Sequence, residues 1–75
     1  MVTVQIYKRT YQVGQKELQG LLELASQQVP QGIYAVEVIG KNYYELRRDL
    51  LSKSQIKRIT KEYRKRGMKV YANGI

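Results

Sequence analysis

Residues 33–47 read IYAVEVIGKNYYELR and decide the fold that the sequence predicts. The part before Gly40 is rich in β-branched and other apolar side chains, which is typical of a buried strand. Gly40 and Lys41 follow it, and glycine at the first central position of a hairpin suits a type II′ turn. The segment therefore predicts two antiparallel strands, residues 33–39 and 42–47, joined at this turn.

Two helices and two further strands flank the predicted hairpin. In residues 15–29 the apolar side chains recur at helical intervals, which indicates an amphipathic helix. A second helix begins after a capping-box pattern at Ser52 and runs to Arg66. Residues 2–6 and 68–73 alternate apolar and polar side chains, so each is predicted to be a half-buried strand.

The resulting order, β-α-β-β-α-β, is the ferredoxin-like order. We expect a small α+β fold of two layers, with a four-stranded antiparallel sheet and both helices on one of its faces. Residues 8–14 fit this order less well. In the alternative, residues 10–13 form an extra strand that pairs with the first one, and the fold becomes β-grasp-like. With 75 residues the chain is predicted to form a single domain, residues 1–75.

Composition excludes several kinds of chemistry. The chain has no histidine and no cysteine, so a metal site built from either residue and a thiol nucleophile are excluded. Without histidine the chain also lacks the usual proton shuttle near neutral pH. No glycine-rich phosphate motif of the P-loop or dinucleotide type is present. We therefore expect a protein that is not an enzyme and takes no metal, cofactor or small-molecule substrate.

The hydropathy of the chain predicts a cytoplasmic protein. Residues 1–10 contain no apolar run of the kind found in signal peptides. No stretch approaches the roughly 18 consecutive apolar residues that a membrane-spanning helix needs. The absence of cysteine is compatible with a reducing compartment. We expect no membrane partner.

Positive charge is concentrated in the second half of the chain. The formal net charge is +8, and residues 41–75 carry 11 of the 14 lysines and arginines. Residues 1–40 are electrically balanced, so the second half supplies the whole excess. Such asymmetry within one small domain favours a polyanionic partner.

Six cationic side chains fall on one continuous arc of the second predicted helix when it is drawn as a helical wheel. They are Lys53, Lys57, Arg58, Lys61, Arg64 and Lys65. The four lysines among them repeat at every fourth residue, and like charges at this spacing destabilise a free helix. We predict that the arc binds the phosphates of DNA or RNA. Arg47, Arg48 and Lys69 are predicted to extend the patch.

A second predicted surface is the sheet face that the helices leave open. Tyr7, Tyr43 and Tyr71 are predicted to point outward there and to form a stacking platform for unpaired bases. Together with Ile33 and Ala35 they could equally form the face of a homodimer. The alternative function is that of an interaction protein, a small regulator that docks its basic face on an acidic protein partner.

Overall fold

Residues 1–74, the part of the chain that the computed structural model describes, form one mixed β-sheet and two helices. In chain order the elements are β1 (Val2–Ile6), β2 (Arg9–Val13), α1 (Gln15–Gln28), β3 (Gly32–Val38), β4 (Tyr43–Leu46), α2 (Lys53–Lys65) and β5 (Met68–Asn73). The predicted α+β class and both predicted helices are confirmed. Ile75, the last residue of the predicted domain, lies outside the described residues.

The strand order within the sheet is β2-β1-β4-β3-β5. β1 runs parallel to β4, and the other three neighbouring pairs of the described sheet are antiparallel. β5 pairs with β3 and not with β1. The two neighbours of β1 are β4 and β2. The sheet is therefore five-stranded and mixed, and the predicted ferredoxin-like topology with a four-stranded antiparallel sheet is not confirmed.

The additional strand is β2, which forms a hairpin with β1. Its register places Val13 opposite Val2 and Arg9 opposite Ile6. Val13 is the one buried residue of this strand, so the sequence lacks the apolar–polar alternation that would predict a strand here. The β-grasp-like alternative required an extra strand pairing with the first one, and that requirement is met.

The two helices lie on opposite faces of the sheet, so the prediction that both cover one face is wrong. Residues directly opposite each other on neighbouring strands share a face. Ala35 lies opposite Leu46, which packs in one core cluster with Leu18 of α1. The next residue, Val36, points to the other face and packs with Ile56 of α2. Each helix thus covers its own core cluster.

Two side chains of β3 that were predicted to point outward are buried, Ile33 because a bulge turns it toward α2 and Ala35 because α1 covers its face. Ile33 lies opposite Ala72, Ala35 lies opposite Tyr71, and the register shifts between these two pairs. Both Ile33 and Ala35 are fully buried, at 0% exposure. A strand that is covered on both faces reads as a nearly continuous apolar run, which is the pattern of this strand. The dimer face predicted from these two residues is therefore not available at the surface.

α2 begins and ends at the residues that the sequence indicated. The Ser52 hydroxyl accepts a hydrogen bond from the Gln55 N–H at 3.3 Å, and the Gln55 side chain accepts one from the Ser52 N–H at 2.9 Å. At the other end, Gly67 has a φ of 81° and its N–H donates to the Arg64 carbonyl at 3.1 Å. The helix therefore presents its side chains at defined positions beside β5.

Candidate nucleic-acid interface

The six predicted cations of α2 lie together on the exposed side of the helix. Ile56 and Thr60 are buried beneath the helix, and Ile59 and Tyr63 are half-buried beside them. All six members of the arc are exposed: Lys53, Lys57, Arg58, Lys61, Arg64 and Lys65. We call these six side chains the basic arc. The structure therefore brings together the set of residues that the helical wheel selected.

The charges of the basic arc have no carboxylate partner within the described residues. No carboxylate of residues 1–74 lies within 4.0 Å of any of the six cationic groups. Glu62 stands four residues after Arg58, yet the two side chains form no ion pair. The first turn of α2 contains no acidic residue, so Lys53 faces the positive end of the helix dipole uncompensated. The arc is therefore a surface of concentrated positive charge.

A shallow depression runs along the basic arc and, within residues 1–74, is lined by side chains of α2. Its lining residues are Lys57, Thr60, Lys61, Arg64 and Lys65. The Thr60 hydroxyl is buried and has no hydrogen-bond partner in the described part of the chain. The ammonium and guanidinium groups of the other lining residues donate hydrogen bonds, and phosphate oxygens accept them. The depression thus presents donors to an anionic group.

Arg47, Arg48 and Lys69 are predicted to extend the basic arc, and the first two line one depression together with Tyr63 of α2. The Arg47 guanidinium donates to the Asp49 carboxylate, which neutralises its charge locally. Arg48 places its guanidinium 4.9 Å from the centre of the Tyr7 ring. Phosphate binding by Arg47 and Arg48 therefore stays a prediction.

Lys69 lies on the wrong side of the sheet to join the basic arc. It pairs in register with Glu37, and Glu37 lies opposite Tyr44, which packs on the α1 cluster. Residues opposite each other share a face, so Lys69 points away from α2. Its ammonium group lies 5.3 Å from the centre of the Tyr71 ring.

The three tyrosines that were predicted to share one face are separated by the fold. Tyr43 lies on the α2 side of the sheet, where its hydroxyl donates to the Gln5 side chain. Burial, with a smaller contribution from Glu45, raises the pKa of Tyr43. Tyr71 lies on the α1 side, and Tyr7 lies in the β1–β2 turn. The structure does not bring them together, so the three tyrosines do not share one face of the sheet.

A different tyrosine cluster, which the sequence did not indicate, lies on the α1 side of the sheet. The Tyr71 ring lies 6.1 Å from the Tyr34 ring and 6.4 Å from the Tyr44 ring, measured between ring centres. The Tyr71 hydroxyl donates to the Glu37 carboxylate at 3.1 Å. Burial is the main cause that raises the pKa of both Tyr44 and Tyr71. These contacts indicate that the three tyrosines, Tyr34, Tyr44 and Tyr71, pack against one another on this face of the sheet.

A second cationic region, which charge counting missed, lies at the β1–β2 turn. Lys8 and Arg9 are exposed there, and Arg48 reaches the same place from the end of β4. In the sequence the first two are cancelled by glutamates that lie on α1, such as Glu17 and Glu23. The net charge of each half of the chain therefore does not indicate this local excess of positive charge, which forms only when distant residues come together in the fold.

Comparison of the chain with protein-family models, with curated proteins and with solved structures finds no match. Within residues 1–74, neither helix combines the length and the apolar character that crossing a membrane requires. A functional assignment therefore depends on the chemistry of the surfaces described above.

Proposed function

We propose that this chain is a small, non-enzymatic nucleic-acid-binding domain that holds phosphates through the basic arc of α2. The observation that carries the proposal is the exposure of six cationic side chains on one helix face with no carboxylate partner in the described chain. A helix of 13 residues is about 20 Å long, and each strand of a DNA duplex carries one phosphate per about 3.4 Å of duplex axis. The arc can therefore face several phosphates at once.

Repulsion within the basic arc supports a bound polyanion in the working state. Its four lysines follow one another at i,i+4 spacing, and each such pair costs a few tenths of a kcal/mol, roughly 0.2–0.5, in a free helix. A row of phosphates removes this cost, because each ammonium group then faces a negative oxygen. Release of the counterions condensed on the nucleic acid adds a favourable entropy.

The mode of binding that fits the basic arc is contact with the backbone rather than recognition of bases. Lysine and arginine contacts to phosphates position a protein on nucleic acid without carrying sequence information. The exposed Arg64 guanidinium supplies further donors in the same depression. We therefore propose affinity for DNA or RNA with little dependence on sequence.

The experiment is a double charge reversal in the centre of the basic arc, Lys57→Glu with Lys61→Glu. We expect the double variant to lose retention on heparin and on duplex DNA while its circular dichroism spectrum stays that of the folded protein. The matched control is Lys16→Glu with Lys41→Glu, which changes two exposed lysines outside the arc and alters the net charge equally. Retention that is unchanged in the arc variant, or lost equally in the control, contradicts the proposal.

An acidic protein partner is the competing function, and the same arc would serve it. A defined one-to-one complex with an acidic protein, combined with no affinity for mixed-sequence oligonucleotides, favours that function over nucleic-acid binding. The two also differ in salt response, because counterion release from a nucleic acid gives a steep and linear dependence of log K on log salt concentration.

A further inference from the structure

The β1–β2 turn holds an aromatic side chain in an unusual backbone conformation. Tyr7 and Lys8 connect the paired residues Ile6 and Arg9, so this is a two-residue hairpin loop. Tyr7 has a φ of 55°, in the left-handed region where hairpin loops normally place glycine, asparagine or aspartate. A bulky residue in this region is a genuine outlier, and such strain concentrates at functional sites.

The Tyr7 ring contributes little to the core. The residue is 65% exposed, and the Arg48 guanidinium lies 4.9 Å from its ring centre. This distance is within the range of a cation–π interaction, which orients the ring without burying it. The strained backbone therefore presents an aromatic ring to the surroundings rather than to the interior.

The surroundings of Tyr7 are cationic and include a second exposed ring. A depression at the turn is lined by Ile6, Tyr7, Lys8, Arg9, Tyr11 and Arg48. Tyr11 is 42% exposed, and none of the lining residues is acidic. The neighbouring depression, which Tyr7 and Arg48 also line, contains two carboxylates, Glu45 and Asp49, and the second is paired with Arg47. The turn therefore combines two accessible rings with three cations.

We propose that the β1–β2 turn and Arg48 form a separate binding surface for unpaired bases of single-stranded nucleic acid. Tyr7 and Tyr11 supply the rings on which bases stack, and Lys8 and Arg9 contact the adjoining phosphates. The proposal rests on the proposed function for its choice of partner, but it uses none of the six side chains of the basic arc. Exposed aromatic rings set among cations are the arrangement by which proteins hold single strands without reading their sequence.

Single-stranded nucleic acid fits this surface better than duplex does. Bases in a duplex are stacked on each other, so they cannot lie on a tyrosine ring unless they are first unstacked. Base–aromatic stacking corresponds to roughly 5- to 150-fold in affinity per base. The basic arc by contrast needs only phosphates, which both forms supply.

The test is Tyr7→Gly, which removes the ring and places at this φ a residue that adopts it freely. Affinity is measured by fluorescence anisotropy with a labelled mixed-sequence single strand and with the duplex of the same sequence. We expect single-strand affinity to fall by roughly 5- to 150-fold and duplex affinity to stay within about twofold. The melting temperature is expected to equal or exceed that of the wild type, because the strained φ is relieved.

Two further variants keep the test decisive. Tyr7→Phe retains the ring and is expected to retain single-strand affinity, while Tyr11→Ala is expected to lower it without touching the strained residue. The proposal is overturned if Tyr7→Gly leaves single-strand affinity unchanged, or if it lowers single-strand and duplex affinity equally. It is also overturned if the wild type binds polyglutamate at this turn but no single strand.

The outcomes of this test are distinct from those of the proposed function. Loss of all binding in Lys57→Glu with Lys61→Glu, together with full single-strand affinity in Tyr7→Gly, supports the basic arc and overturns the turn surface. Loss of single-strand affinity in Tyr7→Gly, together with full duplex retention in the arc variant, supports the turn surface and contradicts the basic arc.

Discussion

Replacing Lys57 by glutamate should stabilise the protein while weakening its binding to nucleic acid. Lys57 is exposed in the middle of α2, with Lys53 four residues before it and Lys61 four residues after it. Neither pair is relieved by a carboxylate of the described chain. A like-charge pair at this spacing costs about 0.2–0.5 kcal/mol, and an opposite-charge pair gains about as much. Lys57→Glu changes the sign of both pairs.

The expected gain in the free energy of unfolding is about 1–2 kcal/mol at low ionic strength. The assay is urea unfolding followed by circular dichroism. For a small protein with an m-value near 1 kcal/mol/M, the midpoint should rise by about 1 M or more. Lys57→Gln removes the repulsion without adding attraction, so it should give about half of this gain. Added salt should shrink the gain, because exposed charges are screened.

The matched control for this prediction is Lys41→Glu, an equal charge change in the exposed loop between β3 and β4. It should shift the urea midpoint less than Lys57→Glu, since it lies in no i,i+4 row of a helix. A Lys57→Glu variant that is no more stable than the wild type at low salt would refute the idea that the basic arc repels itself.

Two further predictions concern the packing of the sheet. Gly32→Ala should lower the urea midpoint, because Gly32 has a φ of 150° and an added Cβ would lie 2.7 Å from the Asp49 carbonyl oxygen. A variant that is as stable as the wild type contradicts this geometry. Stability should also fall as pH rises above 10.0, the ordinary tyrosine pKa. Burial and Glu37 raise the pKa of Tyr44 and Tyr71 in the folded protein. The unfolded chain therefore loses these protons first, and deprotonation favours unfolding. Unfolding measured across this range should show a shallower slope for Tyr44→Phe, and equal slopes would contradict the assignment.

The features that the sequence predicted correctly depend on residues close together in the chain. The capping box at Ser52, the glycine at Gly67 and the basic arc are all set within a few turns of one helix. The apolar run of residues 33–39 likewise indicates a strand by itself. For these features, local spacing and backbone propensity decide the structure.

The features that were missed depend on how distant segments pair. The exposed residues of β2 show no apolar alternation that would predict a strand. No local sequence pattern predicts that β5 pairs with β3. The pattern of residues 33–39 predicts one buried face, but two helices cover this strand from opposite sides. Lys69 is predicted to extend the basic patch of α2, whereas its register with Glu37 places it on the sheet face opposite α2.

Salt dependence of duplex DNA binding tests the central claim most directly. Each phosphate contact contributes about −0.9 to the slope of log K against log salt concentration, so six contacts predict a slope near −5. Removing two of them in Lys57→Glu with Lys61→Glu should reduce the slope to roughly −3.5, while the control with Lys16→Glu and Lys41→Glu keeps it near −5. A wild-type slope near −1, or the same slope in the arc variant, would show that the basic arc does not hold phosphates.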